Sequence, residues 1–237
     1  MTQQDQEYFI NNPIFVKYRR AFDWTRLKPF RHLKSVNMNE RIVELPFALQ
    51  AVMAQPRGSR VLDAGCTESP LPVQLATLGY RVTGYDFRPY PYTHPNLEFV
   101  RGDILELPFE DNAFAAVICL STLEHIGIAY YDSVPVENHT DTRAVGELRR
   151  VLQDKGLLVL TVPYGVAKVL RHQRVYDEAS LNRVLAGFHV LEQRYFASRP
   201  AAQGRCNHWV EVDQLEAGQI ISEDSARCVC LVRAEKK

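Results

Sequence analysis

The stretch Val61-Leu-Asp-Ala-Gly-Cys-Thr-Glu-Ser-Pro70 decides the fold of this chain. It opens as a short apolar run, typical of a buried strand, and passes through Gly65 into a helical pattern that begins at Leu71. A glycine in such a turn lets the backbone approach a ligand closely, because any Cβ there would obstruct it. The sequence therefore predicts a strand, a turn and a helix, with Gly65 under a bound molecule.

From Arg60 onward, short apolar runs alternate with helical patterns, which is typical of βαβ units and a parallel sheet. The predicted strands are Arg60–Ala64, Tyr80–Asp86, Leu97–Arg101, Ala115–Leu120, Gly156–Val162, Phe188–Tyr195 and Arg227–Arg233. Apolar residues at helical spacing predict a crossover helix over Ala144–Leu152. We expect an α/β fold with a Rossmann-like doubly wound sheet, mostly parallel with an antiparallel last strand, and helices on both faces.

Length and composition fit one domain, since 237 residues with 46% hydrophobic content can bury a single sizeable core. We expect residues 1–55 to form an N-terminal helical lid or edge segment and residues 56–237 to form the main domain. Lys plus Arg and Asp plus Glu both total 28. This balance argues against the broad positive field of a protein whose main partner is nucleic acid.

The cysteines and the apolar runs indicate a cellular location. The 5 cysteines show no paired CxxC spacing, so neither a disulfide framework nor a zinc knuckle is expected. No apolar run approaches the roughly 20 residues that a membrane-spanning helix needs. We expect a cytoplasmic protein without a transmembrane segment, and peripheral membrane contact stays open.

The first part of the N-terminal segment mixes aromatic and basic residues between Tyr8 and Arg31. Such a mixture suits a lid over a site, or a surface for an anionic or sugar-bearing substrate. The alternative is a set of helices packed on the sheet edge.

Asp86 ends the second predicted strand. In sheets of this kind a carboxylate at that position can accept hydrogen bonds from both hydroxyls of a ribose, since an ionised carboxylate offers only acceptor sites. Together with the turn at Gly65, it predicts a nucleoside-binding site without fixing the reaction.

Four motifs occur in a telling order: Asp63-Ala-Gly-Cys66, Gly84-Tyr-Asp86, Gly102-Asp103 followed by Leu107-Pro-Phe109, and Leu123-Glu-His-Ile126. In this order they resemble class I S-adenosylmethionine-dependent methyltransferases, over roughly Arg60 to Pro163. The resemblance implies that fold, a methyl-transfer activity and S-adenosylmethionine as cofactor. It also implies cofactor contacts at the strand ends, with the methionine part beside Asp63 and Gly65, the ribose on Asp86, the adenine near Asp103 and Ile104, and the methyl-transfer side lined by Leu120 and Ser121.

The first turn departs from the family pattern, which usually carries two or three glycines where this chain reads Cys66-Thr-Glu-Ser-Pro70. The missing glycines argue against a nicotinamide dehydrogenase, which needs GxGxxG to seat a pyrophosphate on the helix N-terminus. The adenosyl cofactor has no phosphate, so it tolerates their loss. A sheet of this type with a decayed cofactor site is the alternative.

Methyl transfer to a hydroxyl needs a base, and His125 is the first candidate because it follows the fourth strand, where ligands bind in such sheets. It could instead pack against the cofactor or order the following loop. Glu124 is expected to be its partner or an unrelated cap. His139 is the second candidate base, and Thr140 or Asp141 could cap the next helix.

The long insertion after Ile126 is expected to contact the acceptor, because loops at this end of a sheet usually carry substrate contacts. Tyr130 and Tyr131 suit stacking on a sugar or an aromatic acceptor. The residues that suit binding of a hydroxyl are Asp132, Glu137, His139 and Asp141. A divalent metal ion is a minor alternative, so no metal ligand is assigned. The stretch Leu123–Asp132 also resembles bacterial methyltransferases associated with cell-surface glycans and glycolipids.

These features favour an O-methyltransferase acting on a small-molecule or sugar or glycolipid hydroxyl, with a histidine as general base. An N- or C-methyltransferase of a small metabolite and a non-catalytic S-adenosylmethionine-binding module are the alternatives. A nucleic-acid methyltransferase is disfavoured, because Leu120-Ser-Thr-Leu123 replaces an Asn/Asp-Pro-Pro-Tyr tetrad. His208 and Trp209 could wall the acceptor pocket, although Trp209 also suits the core or the interface of a homodimer.

Overall fold

The computed structural model describes residues 39–128, 140–200 and 207–237. The helices are α1 (Arg41–Val52), α2 (Leu71–Thr77), a 3-10 helix (Leu123–His125), α3 (Thr140–Val151), α4 (Glu178–Val184) and α5 (Gln214–Gly218). The strands are β1 (Arg60–Ala64), β2 (Arg81–Asp86), β3 (Leu97–Arg101), β4 (Phe114–Leu120), β5 (Leu152–Pro163), β6 (Lys168–Val169), β7 (Arg174–Val175), β8 (Phe188–Pro200), β9 (Asn207–Val212) and β10 (Cys228–Lys236).

The principal sheet has the strand order β3-β2-β1-β4-β5-β10-β8-β9, and β6 pairs with β7 in a separate ribbon. Neighbouring strands from β3 to β5 are parallel. Strand β10 runs antiparallel to both β5 and β8. The prediction of a mostly parallel, Rossmann-like sheet with an antiparallel last strand is confirmed.

Alternate residues of the central strands face two separate apolar cores, one on each side of the sheet. In β4, Val117 and Cys119 pack with the residues of α3 and α4, whereas Ala116 and Ile118 pack with those of α1 and α2. This alternation follows from the two-residue period of a strand. Burial on both faces also explains why β4 is a continuous apolar run in the sequence.

Local sequence signals begin two of the covering helices. The hydroxyl of Ser69 accepts a hydrogen bond of 3.1 Å from the Leu71 N–H, and Pro72 lies in the first turn of α2. Helix α4 starts with a capping box in which the side chains of Asp177 and Ser180 each accept the other's backbone N–H.

Helix α1 lies within the segment predicted as a lid or sheet edge. Its residues Phe47, Ala48 and Val52 are buried in the same apolar core as α2. Residues 1–38, which include the aromatic and basic mixture, lie outside the described part of the chain. The division of the chain at residue 55 stays a prediction.

The fold differs from the expectation at the start of β5 and at β9. Leu152 was expected to end a helix but begins β5, because it pairs with Phe114 of β4. Strand β9, which contains His208 and Trp209, was not among the predicted strands, and Trp209 is partly buried against the apolar core beside α1 and α2.

The strand order reverses between β1 and β4, since β2 and β3 extend the sheet on one side and β5 extends it on the other. In open α/β sheets, ligands bind outside the carboxyl ends of the strands at this switch point. Gly65 follows β1 and Ser121 follows β4, so this rule directs attention to those two turns.

Candidate functional site

Gly65 occupies a position that only glycine fits. Its φ is +85°, in the left-handed region, and its N–H donates a 2.7 Å hydrogen bond to the Tyr85 carbonyl. A Cβ at this position would lie 2.1 Å from Oγ1 of Thr122. The close approach predicted at Gly65 thus includes a neighbouring loop of the chain itself, which the sequence did not indicate.

The turn after Gly65 holds the carboxylate of Asp86. The backbone N–H of Thr67 donates to Oδ2 of Asp86 at 3.0 Å, and the N–H of Arg88 donates to Oδ1 at 2.9 Å. Asp86 is 5% exposed. Because each carboxylate oxygen has about two acceptor sites, the anchored group keeps capacity for further donors. The turn residues that replace the usual glycines therefore position Asp86.

Asp63 lies beneath this turn and is 2% exposed. Its Oδ2 has no hydrogen-bond partner among the described residues. Burial raises the pKa of Asp63 to about 7, with a further rise from nearby Asp86, while the charge of Arg41 opposes the shift. A buried acceptor without a partner is costly, so this position suits a ligand that donates hydrogen bonds.

The turn after β3 contains Asp103 and Ile104. The Tyr85 hydroxyl donates to the Asp103 carbonyl at 3.0 Å, and the Asp103 Oδ1 accepts the Leu105 N–H at 2.9 Å. A Cβ at Gly102 would lie 2.1 Å from that tyrosine hydroxyl. Asp103 therefore uses one carboxylate oxygen to fix its own turn.

Ser121 marks the end of β4 with an unusual backbone. Its φ is +42°, a conformation that costs a non-glycine residue about 1–3 kcal/mol. Its N–H donates to Oγ1 of Thr161 at 2.9 Å, and its hydroxyl donates to Oε1 of Glu44 at 2.6 Å. These bonds hold the strained turn in place.

Helix α1 supplies two site residues that the sequence analysis missed. Glu44 is fully buried and accepts hydrogen bonds from the hydroxyls of Ser121 and Thr161, the latter at 2.7 Å. Arg41 donates to Glu44 and to the Leu120 carbonyl, each at 3.2 Å. Burial raises the pKa of Glu44, whereas Arg41 and the two hydroxyls oppose the rise. The sequence signal for these two residues was their spacing, since Arg41 and Glu44 lie three residues apart among apolar neighbours.

His125 lies in the 3-10 helix after β4, and its ring is hydrogen-bonded to the backbone of His172. Its Nδ1 is 2.5 Å from the carbonyl oxygen of His172. Burial lowers the pKa of His125, and the backbone bond to His172 partly opposes this. The Nε2 lies 3.8 Å from Oε1 of Glu124, beyond hydrogen-bond distance. Glu124 is thus a neighbour of His125, and its predicted roles as a partner or a cap remain proposals.

These strand ends surround a cleft of about 230 Å³. Six of the predicted residues line it: Gly65, Asp86, Asp103, Ile104, Ser121 and His125. Asp63 and Leu120 are not among its lining residues, and each is 2% exposed. Arg41, Glu68, Arg88 and Thr122 also line the cleft, and the sequence analysis assigned no role to them.

A smaller pocket of about 140 Å³ adjoins the cleft, and we call it the polar pocket. Arg41, Glu68, Ser121 and His125 line both spaces. The polar pocket is additionally lined by Asn39, Glu40, Glu124, Pro163, Gln173, Ala226 and Val229. His125 therefore faces the cleft on one side and a strongly polar space on the other.

Several predicted acceptor residues lie outside the described residues. These are Tyr130, Tyr131, Asp132, Glu137 and His139. Within residues 39–128, 140–200 and 207–237, no group of three or more His, Cys, Asp or Glu side chains could hold a metal ion. In the same ranges, no helix has the length and apolar character needed to cross a membrane.

Known proteins share sequence and fold with this chain. Residues 62–160 match the family described as "Methyltransferase domain". An uncharacterized protein of Methanocaldococcus jannaschii is 37% identical over 60 residues, a match that spans 25% of this chain and 21% of that protein. The chain thus corresponds to about a fifth of that relative's length.

Two crystal structures illustrate the shared fold. The 1,6-didemethyltoxoflavin-N1-methyltransferase of Burkholderia thailandensis, solved with S-adenosylhomocysteine, is 15% identical over 100% of this chain and 91% of its own, with a TM-score of 0.58. The N-methyltransferase NodS of Bradyrhizobium japonicum is 15% identical over 84% of this chain and 88% of its own, with a TM-score of 0.57. The motif order and the sheet agree with the family match: residues 62–160 correspond to a methyltransferase domain, and the fold is that of class I S-adenosylmethionine-dependent methyltransferases.

Proposed function

We propose that the protein transfers a methyl group from S-adenosylmethionine to a hydroxyl of a small molecule or of a sugar or glycolipid, with His125 as general base. The observation that carries this proposal is the placement of His125, which lines both the cleft and the polar pocket with its ring fixed by the His172 carbonyl. A base at the junction of a cofactor space and an acceptor space is where proton removal is needed.

The hydrogen bond to His172 defines which nitrogen of His125 can act. A carbonyl oxygen only accepts, so Nδ1 must carry the hydrogen and donate it. In the neutral ring, Nε2 is then the unprotonated acceptor. Because burial lowers the pKa of His125, the ring stays neutral at physiological pH and can take a proton from a hydroxyl. His139 remains a second candidate base, outside the described residues.

The cofactor assignments are proposals that the geometry supports. Asp86 would accept hydrogen bonds from the ribose hydroxyls, since its anchored carboxylate keeps free acceptor sites. Asp63, with its unpaired buried Oδ2, and Gly65 would face the methionine part, whose ammonium group is a donor. Asp103 and Ile104 would border the adenine.

Leu120 and Ser121 would border the reacting end of the cofactor, as the resemblance implies. Bound there, S-adenosylmethionine supplies an electrophilic methyl group on a positively charged sulfur. The protein's part is positional, because an in-line displacement requires the acceptor oxygen to be aligned with the methyl carbon. The bonds from Ser121 to Glu44 and Thr161 give the end of β4 the rigidity that such alignment needs.

N-methylation is the second candidate, and the charge of the polar pocket favours it. Two of its lining residues, Glu40 and Glu68, have carboxyl groups that would attract an amine, whereas burial raises the pKa of Glu124 well above its usual value. The two structural relatives named above are N-methyltransferases by name. An amine acceptor would need the same alignment, and an ammonium group would have to give one proton to a base before its nitrogen could attack the methyl carbon.

Turnover with matched acceptors tests the proposal. S-adenosylhomocysteine release is measured with methyl glycosides and phenols against primary amines, in the wild type, in His125→Asn and in His189→Asn, which changes an exposed histidine of β8. We expect hydroxyl acceptors to react, and His125→Asn to lower kcat about 100-fold or more with little change in cofactor affinity. Turnover only with amines would establish the second candidate. Full activity of His125→Asn would remove the histidine as base.

We also propose a cytoplasmic location. Cys66, Cys119, Cys228 and Cys230 are buried free thiols, as is common in a reducing compartment. A homodimer stays a prediction from the sequence.

A further inference from the structure

The polar pocket contains two buried polar atoms that the fold leaves without partners. Glu124 is 2% exposed and Gln173 is 7% exposed. Neither Oε2 of Glu124 nor Nε2 of Gln173 has a hydrogen-bond partner among the described residues. A buried polar atom without a partner is costly, and native proteins rarely keep one without a reason. Both residues line the same small space.

The pair differs in hydrogen-bond character, which limits what can satisfy it. The Nε2 of Gln173 can only donate, whereas a carboxyl oxygen of Glu124 can accept. A hydroxyl satisfies both, because it donates one hydrogen and accepts another. An ammonium group carries donors alone, so it would leave Gln173 unpaired.

Two of the charged neighbours in the pocket, Arg41 and Glu68, are already engaged. Arg41 donates to Glu44 and to the Leu120 carbonyl. Glu68 pairs with Arg88 at 2.6 Å. The buried polar atoms that still lack partners in this pocket are the amide nitrogen of Gln173 and Oε2 of Glu124, which together suit an uncharged polar group.

We propose that the polar pocket binds a hydroxyl of the acceptor, which donates to Oε2 of Glu124 and accepts from Nε2 of Gln173. This inference rests on the proposed function and deepens it. The bound hydroxyl is distinct from the one that His125 deprotonates, since its single hydrogen is donated to Glu124. The acceptor is then a compound with at least two neighbouring hydroxyls, as in a sugar.

The side-chain amide signal of Gln173 in an NMR spectrum tests this directly. It is assigned by its loss in Gln173→Leu. The full-length protein is titrated with methyl β-D-glucopyranoside as the hydroxyl probe and with ethylammonium as the cationic probe, with and without S-adenosylhomocysteine. We expect the glucoside to shift the Gln173 signal to saturation and ethylammonium to leave it unchanged.

Matched variants separate binding from folding. Glu124→Leu and Gln173→Leu should each weaken the glucoside at least about tenfold, the effect of losing one hydrogen bond in a buried site. Gln153→Leu, at an exposed glutamine of β5, should bind like the wild type. Thermal unfolding of each variant confirms that it is folded.

The inference is overturned if the glucoside leaves the Gln173 signal in place, if ethylammonium shifts it equally, or if both leucine variants keep wild-type affinity. The same experiments test the proposed function independently of the pocket assignment. Glucoside binding without methylation of any hydroxyl acceptor refutes O-methyl transfer and leaves the pocket assignment standing. Methylation of simple phenols without glucoside binding supports O-methyl transfer and refutes the pocket assignment.

Discussion

Replacing Asp63 by Asn should change how stability depends on pH, because burial raises the pKa of this carboxyl from 3.8 to about 7. Below the lower value the carboxyl is protonated in both states, so the native state bears no penalty. As the pH rises towards the upper value, the unfolded chain ionises while the folded protein does not. The free energy of unfolding therefore falls across this window and levels off above it.

The size of the effect follows from the shift. Each pKa unit corresponds to about 1.4 kcal/mol, so Asp63 should lower the free energy of unfolding by about 3 kcal/mol between about pH 4.5 and pH 8. Asn has nearly the same shape and does not titrate. The wild type should therefore lose about 3 kcal/mol relative to Asp63→Asn over this interval.

Urea unfolding at the two pH values measures this difference. Glu98→Gln, in the edge strand β3 and exposed, is the control for losing one carboxylate. Stability curves of the wild type and Asp63→Asn that stay parallel to within about 0.5 kcal/mol would refute the reasoning. Asp63 would then be ionised in the folded protein, and its environment would be more polar than the structure shows.

The remaining predictions concern the site residues. Gly65→Ala should cost about 2–4 kcal/mol in urea unfolding, from a left-handed φ and a clash with Thr122, and a loss below about 1 kcal/mol would contradict this. Glu44→Ala should cost about 3–5 kcal/mol, because it leaves Arg41 and the Ser121 hydroxyl without their carboxylate, whereas a near-neutral result would show that α1 does not support this turn. Glu124→Leu should keep or raise the unfolding midpoint in a thermal scan, since it removes a buried oxygen without a partner, while acceptor turnover falls; a clear loss of stability would assign Glu124 to the fold.

The fold was predictable because its signals are local. The apolar run of β4, buried on both faces, located that strand to within one residue, and β1 and β3 were located to the residue. The boundary between α3 and β5 was misplaced, because Leu152 was assigned to the helix and its pairing with Phe114 depends on a distant strand.

The cleft was only partly predictable. Asp86 and Gly65 were found because each follows a strand at the switch point. Glu44 was missed, because a carboxylate in a helix is usually solvated and only tertiary packing sets it against Ser121 and Thr161. The close contact of Gly65 with Thr122 likewise joins two turns that are far apart in sequence.

Calorimetric titration of S-adenosylhomocysteine into the wild type and Asp86→Ala tests the central claim, that the cleft at the switch point binds the cofactor. Asp154→Ala, at an exposed carboxylate, is the control. We expect saturable binding to the wild type and the control, weakened in Asp86→Ala by about 1–3 kcal/mol, or roughly 5- to 150-fold in Kd. Equal affinity in Asp86→Ala, or no binding to the wild type, would contradict the claim.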